Sequence, residues 1–317
     1  MSTQPVRIGA RGSKLSLAQA GMMQRRIAAA LGAPPEDAER VAPLIIITTT
    51  GDRVQDRRLL EIGGKGLFTK EIEEAMLEGR IDCAIHSLKD MPSVCPEGLT
   101  IAAIPDREDP RDAFLSFKAD RLEDLPQGAI LGTASLRRQA QSLHRRPDLD
   151  VQMLRGNVDT RLAKLQAGNA DAILLAMSGL NRLGLGHLPQ SLIDPIAVPP
   201  APGQGALAIE TRVGDTGLAW LDAVRHHGTT VAVAAERGAL AALEGSCKTA
   251  IGAHARILGD RIHLIVEALS PDGIHRFRRE GEALLAGDHE AAARELGLML
   301  GAQVLEEGGD LLALHEI

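Results

Sequence analysis

Short apolar runs rich in branched residues alternate with amphipathic stretches along the first two thirds of this 317-residue chain, which limits it to a layered α/β architecture. Residues 6–10 read as a strand, followed by a turn at Arg11, Gly12 and Ser13. Ser13 is placed to cap a helix over 14–31, where Leu15, Ala18, Met22 and Ile27 fall near helical spacing. A buried strand is predicted at 44–48, a glycine-rich loop at 63–66, a helix around 68–77 and a strand at 81–85. The pattern restarts after the charged, proline-bounded segment 105–110. Strands at 129–132, 151–154 and 172–177 then enclose helices at 135–146 and 158–167, so the sheets are expected to be mainly parallel.

Residues 195–202 hold four prolines in eight positions and read as an extended connection, after which 206–210 supplies a strand that rejoins the first sheet. Beyond a helix at 231–243 the character changes. Strands at 251–258 and 261–269 pair through Gly259 and Asp260, a Pro271–Asp272–Gly273 turn leads to a strand near 275–280, and a helix follows at 289–300. The expected organisation is two α/β domains, 1–105 with 203–225 and then 106–202, plus a small α+β domain over 226–317.

Charge narrows the function. A net charge of −7, no tyrosine, one tryptophan and four phenylalanines argue against a nucleic-acid binder. The charge is uneven: residues 135–182 carry eight Arg/Lys against four Asp, whereas 280–317 carry nine acids against one Arg. A basic region inside an acidic protein suits a small polyanion. Three cysteines without CxxC spacing fit a reduced, cytoplasmic protein with no structural metal, and no apolar run is long enough to cross a membrane.

Cations and hydroxyls recur where strands give way to helices. They stand at Arg11–Ser13, in Gly63–Gly64–Lys65–Gly66, at 86–92 (HSLKDMP), at 132–138 (GTASLRR) and at 155–161 (RGNVDTR). Strand ends and helix N-termini in open α/β sheets favour anions, and Arg binds carboxylates bidentately. The Gly-Gly-Lys-Gly loop lacks the spacing of a nucleotide-binding P-loop. Asp90 is the carboxylate embedded in this cationic set, suited either to cap or pair locally or to steady a cationic intermediate. Cys83 reads as a buried hydrophobe, and Cys95 has no evident partner. Cys247, between small residues and Lys248, is a candidate reactive or modified thiol.

These segments, with 108–114 (EDPRDAF), 203–206 (GQGA) and 243–247 (LEGSC), resemble the hydroxymethylbilane synthase (porphobilinogen deaminase) family over nearly the whole chain, thinning after about 275. The resemblance implies two periplasmic-binding-protein-like α/β domains and a small C-terminal α+β domain. It implies a transferase of porphyrin biosynthesis that joins four porphobilinogen units, with loss of ammonia, onto a dipyrromethane cofactor, then releases the linear tetrapyrrole with water. By the same resemblance Cys247 carries the dipyrromethane through a thioether, and Asp90 and Lys89 are catalytic, Asp90 assisting ammonia loss and stabilising the azafulvene cation. Ser87, Lys89, Asp90, Thr133, Ser135, Arg137, Arg138, Arg155 and Gly156 would hold the cofactor. Arg11, Ser13, Lys65, Arg155, Arg161 and Arg182 would hold the substrate's acetate and propionate groups. A monomer that binds porphobilinogen and neither nucleic acid nor membrane is the expectation.

The chain departs from the family pattern at Glu61, at Ala134 and at Lys248–Thr249–Ala250, none of which the implied mechanism requires. A two-lobed, non-catalytic anion-binding protein would explain both α/β halves but not a third module bearing Cys247. A cysteine-dependent acyl transferase would need a histidine base beside Cys247, and the nearest is His254.

Overall fold

A computed structural model describes residues 4–53, 69–188, 190–243 and 250–312. The glycine-rich loop with Lys65, the departure at Glu61, and Cys247 with Lys248 and Thr249 lie outside the described residues. The chain divides into two compact units, Met1–Glu108 with Ala206–Thr230, and Asp109–Gly205 with Val231–Ile317.

The first unit is built on a five-stranded sheet made of β1 (Ile8–Ala10), β2 (Leu44–Ile46), β3 (Cys83–Ser87), β4 (Leu99–Ala103) and β10 (Leu207–Arg212), in the order β2-β1-β3-β10-β4. β1 runs parallel to β2 and β3, but β10 is antiparallel to both β3 and β4, so the sheet is mixed rather than mainly parallel. Helix Lys14–Ala30 starts where expected, with Ser13 Oγ accepting from Ser16 N at 3.3 Å. Its inward stripe is Ser16, Gln19, Ala20, Met23, Ile27 and Ala28, one residue or two per turn. Met23 and Ile27 pack with Ile8, Cys83, Ile85, Leu207, Ile209 and Trp220 on one face of the sheet. Ile72 and Met76 of helix Lys70–Leu77 pack with Ile81, Ala84 and Leu99 on the other. β3 is therefore covered on both sides, which is why it reads as a continuous apolar run apart from His86.

In the second unit β5 (Asp112–Ser116), β6 (Ile130–Gly132), β7 (Asp150–Gln152), β8 (Ala172–Ala176) and β9 (Ser191–Leu192) form a sheet ordered β7-β6-β8-β5-β9. β6 is parallel to β7 and β8, whereas β5 is antiparallel to β8 and β9. Helix Leu136–Arg145 follows β6 with Ser135 as its cap, and helix Val158–Gln166 follows β7 with Asn157 Oδ1 accepting from Thr160 N at 2.9 Å.

The same unit ends in a three-stranded antiparallel meander of β11 (Ala250–Leu258), β12 (Arg261–Leu269) and β13 (Arg276–Leu284). The expected hairpin falls at Gly259, whose φ of 65° suits glycine. Helices His227–Leu243 and His289–Gly308 cover the meander and meet so closely that a Cβ on Gly297 would lie 2.0 Å from the Ala235 carbonyl oxygen. The architecture is thus α/β with an α+β module at the C-terminal end.

Candidate active site

Three elements of the first unit converge on one small pocket of about 70 Å³, open to solvent and bordered by Arg11, Ser13, Gln19, His86, Ser87 and Asp90. Arg11 and Ser13 stand in the turn that leaves β1, which is held by Arg11 N donating to Ser16 Oγ at 3.1 Å. Gln19, on the buried stripe of the first helix, donates from Nε2 to Ser87 Oγ at 3.0 Å. After β3 the chain tightens into a single helical turn, Leu88–Asp90, whose Leu88 is buried and donates its N–H to the Ala206 carbonyl at 3.0 Å. That anchor leaves Lys89 half-buried and Asp90 exposed at the rim. No hydrogen bond or ion pair among the described residues engages the Asp90 carboxylate, so the local capping role open to it on sequence grounds is not the one the fold uses.

His86, which lines this pocket, leads to two buried carboxylates that the sequence did not mark as a site. His86 is buried, and its Nε2 lies 3.0 Å from Glu210 Oε2 on β10. Glu73, from the helix covering the same face, is also buried; burial pushes its carboxyl above the usual range, and neighbouring Glu210 adds to that. A histidine and a glutamate inside otherwise apolar strands were the available signal. Their pairing spans 124 residues and has no local signature.

The second unit gathers a separate cationic set. Arg137 and Arg138, in the first turn of helix Leu136–Arg145, are buried against Asp112 at the start of β5. Arg137 Nη1 lies 2.8 Å from Asp112 Oδ2 and Arg138 Nη2 lies 2.7 Å from Asp112 Oδ1. Arg138 also donates to the Leu174 carbonyl, and Gln204 Nε2 donates to Asp112 Oδ1 at 2.9 Å. Burial disfavours a charged Asp112, but the two guanidiniums outweigh it and hold the carboxyl far below the usual range. Asp112 thus ties together three of the motifs, EDPRDAF, GTASLRR and GQGA. One carboxylate faces two guanidiniums, and Arg137 Nε is buried without a hydrogen-bond partner.

The remaining predicted residues of this unit sit around it or in the loop after β7. Thr133 is buried, with its Oγ1 accepting from Ser135 N at 3.1 Å, and Ser135 Oγ accepts from Arg138 N at 3.4 Å. Gly156 adopts φ of 123°, where an added Cβ would come 2.7 Å from Thr160, so glycine is required there. Its carbonyl accepts from Arg161 Nε at 2.8 Å, and Arg182 Nη2 donates to the Gly205 carbonyl at 2.7 Å. Arg155 Nη1 is buried without a partner. Spare guanidinium N–H groups beside a helix N-terminus are the donors that carboxylates bind, so the residues present fit an acetate- and propionate-bearing pyrrole ligand. Arg11, Ser13, Ser87, Lys89 and Asp90 therefore fall in one unit and the other described candidates in the second.

Two α/β units whose strands end in guanidinium and hydroxyl groups, one beside an unengaged carboxylate, are chemically suited to small polyanions. Residues 6–219 match the family model described as porphobilinogen deaminase, dipyromethane cofactor binding domain, and residues 230–306 match that of the porphobilinogen deaminase C-terminal domain. The chain is 72% identical over 320 residues to the porphobilinogen deaminase of Phenylobacterium zucineum (strain HLK1), covering 99% of this chain and 100% of the relative. It is 70% identical over 318 residues to that of Caulobacter sp. (strain K31), covering all of both chains. The chain belongs to the porphobilinogen deaminase family, and it is a hydroxymethylbilane-forming transferase with a dipyrromethane cofactor. Among solved structures, a YaeC-family lipoprotein from Enterococcus faecalis V583 is 13% identical, with 72% of this chain and 94% of that one covered at a TM-score of 0.40. No helix among the described residues is long and apolar enough to cross a membrane.

Proposed function

We propose that Asp90 is the carboxylate that drives each condensation, that Cys247 holds the dipyrromethane through a thioether, and that the cations of the two units bind carboxylates of the cofactor and growing chain. The observation that carries this reading is the state of Asp90: an exposed carboxylate, engaged by no described side chain, at the rim of a pocket that also presents Arg11, Ser13 and Ser87. The bound cofactor supplies a pyrrole carbon nucleophile. Asp90 lowers the cost of positive charge on porphobilinogen as ammonia departs, with an attraction of about 4 kcal/mol at ~4 Å and an effective dielectric of ~20. Lys89, half-buried beside it, assists in that role.

Arg11, Ser13, Lys65, Arg155, Arg161 and Arg182 serve substrate carboxylates in this reading. Ser87, Thr133, Ser135, Arg155 and Gly156 serve the cofactor together with Arg137 and Arg138, which keep one positive charge beyond what Asp112 balances. Three domains, with the meander and its two helices as the third, fit the three sheets. The protein acts as a cytoplasmic monomer on porphobilinogen, without nucleic acid, which its net charge of −7 supports. The test is Asp90→Asn. It is expected to keep the fold and the bound cofactor mass while kcat falls about 100-fold or more; wild-type turnover would remove Asp90 from the reaction.

A further inference from the structure

Beneath the pocket that presents Asp90, three ionisable side chains are buried on one face of the first sheet. His86 lines the pocket and is 6% exposed; Glu210 is 0% exposed and Glu73 8%. β10 carries a register shift between Ile209 and Glu210, an irregularity of the kind that re-aims a side chain, and Glu210 meets the imidazole at 3.0 Å. The second oxygen of Glu210 and Oε1 of Glu73 are both buried without a hydrogen-bond partner. Among the described residues no Lys or Arg is paired with either carboxylate.

Two carboxylates buried beside one imidazole make a site where desolvation and mutual repulsion both work in favour of holding a proton. Burial pushes the Glu73 carboxyl above its usual range, against a hydrogen bond from Thr69 that lowers it, and neighbouring Glu210 adds to the rise. The other charged groups that line the pocket with His86 are Arg11, from the turn after β1, and Asp90 at the rim; the first helix lines it with the uncharged Leu15, Ser16 and Gln19. The cluster is thus a proton store with one member reaching the pocket.

The reaction needs such a store. Each addition joins the methylene carbon of porphobilinogen to the α-carbon of a pyrrole and breaks the methylene carbon–nitrogen bond, with ammonia taking the electron pair. The attacked α-carbon then sheds one proton to restore the aromatic ring, and with the ammonia already released that proton balances as one ammonium per addition. We infer that His86, held by Glu210 and backed by Glu73, is the proton relay of this pocket, accepting through Asp90 the proton shed by the pyrrole α-carbon. This rests on the reading of Asp90 above, and because His86 acts through Asp90 it is a positioning residue.

The test uses holoenzyme labelled with ¹⁵N-histidine. Long-range proton–nitrogen spectra are expected to show His86 protonated on Nε2 with that proton held by Glu210, and they follow its titration in the wild type and in Glu210→Gln. His86→Asn is expected to retain cofactor mass and KM, to lose about 100-fold in kcat, and to lose from its pH–rate profile the ionisation that the spectra assign to His86. Wild-type kcat and profile in His86→Asn would overturn the relay. If that variant does not fold, Glu210→Gln decides: a pH–rate limb that moves with the His86 midpoint supports the relay, and a limb that stays put overturns it. Full turnover in Asp90→Asn, with the His86 midpoint still answering to Glu210, would instead locate the failure in the reading of Asp90.

Discussion

The two units treat carboxylates in opposite ways. The first leaves Asp90 exposed and unengaged while burying Glu210 against His86 and Glu73 beside Thr69, with no Lys or Arg paired to either carboxylate among the described residues. The second buries Asp112 beneath two guanidiniums and the Gln204 amide. Sequence alone shows polar and charged groups at strand ends in both. The difference lies in whether a partner arrives from elsewhere in the chain. Where it does, charge becomes part of the framework; where it does not, charge is left for a ligand or a proton.

The comparison breaks most visibly at Asp112. Replacing it with Ala leaves two guanidiniums buried without their carboxylate and is expected to cost about 3–5 kcal/mol of stability, read by urea or thermal unfolding. Removing the Asp90 carboxylate as Asn is expected to leave the same unfolding midpoint unchanged. If the two variants unfold alike, the contrast between framework and reactive carboxylate is wrong.

Acidity sharpens the contrast because the two shifts have opposite signs. Asp112 is held below its unfolded-state range, so its stabilisation is fully present above that range and fades only as the pH falls through it and lower. Glu73 is held above its range, so its contribution is present at low pH and is lost as the pH rises through its folded value. Glu73→Gln is therefore expected to raise the unfolding temperature near neutral pH, with the gain disappearing in acid. An equal effect at both ends of the pH range would contradict a raised Glu73 carboxyl.

The smallest expected effects are at the helix caps, which both units build alike. Ser13→Ala and Asn157→Ala each remove a side-chain acceptor from a helix N-terminus and should cost about 1 kcal/mol in denaturant unfolding. A cost several times larger at Asn157 would mean that its loop, with Gly156, is held by more than the cap.

Much of the framework was legible because it is local. Ser13 as a cap, the strands around Ile8, Ile85, Ile130 and Ile173, and the hairpin at Gly259 all follow from spacing and turn chemistry. The antiparallel direction of β10 was not, nor were β4, β5 and β9, because strand direction depends on connections that run through other elements. Asp90 and the arginines were legible as a set from their repetition at strand ends. Asp112 was quoted within a motif yet given no role, since its partner Arg137 is 25 residues away, and the His86–Glu210 pair is farther apart still.

The reading as a whole depends on a covalently held polyacid, and the direct measurement is the intact mass of the purified protein. The account predicts the polypeptide mass plus two linked pyrroles, with the increment absent in Cys247→Ala and each porphobilinogen added to the wild type raising the mass by one further pyrrole. A wild-type protein that weighs only what its amino acids weigh, and gains nothing when given porphobilinogen, would contradict it.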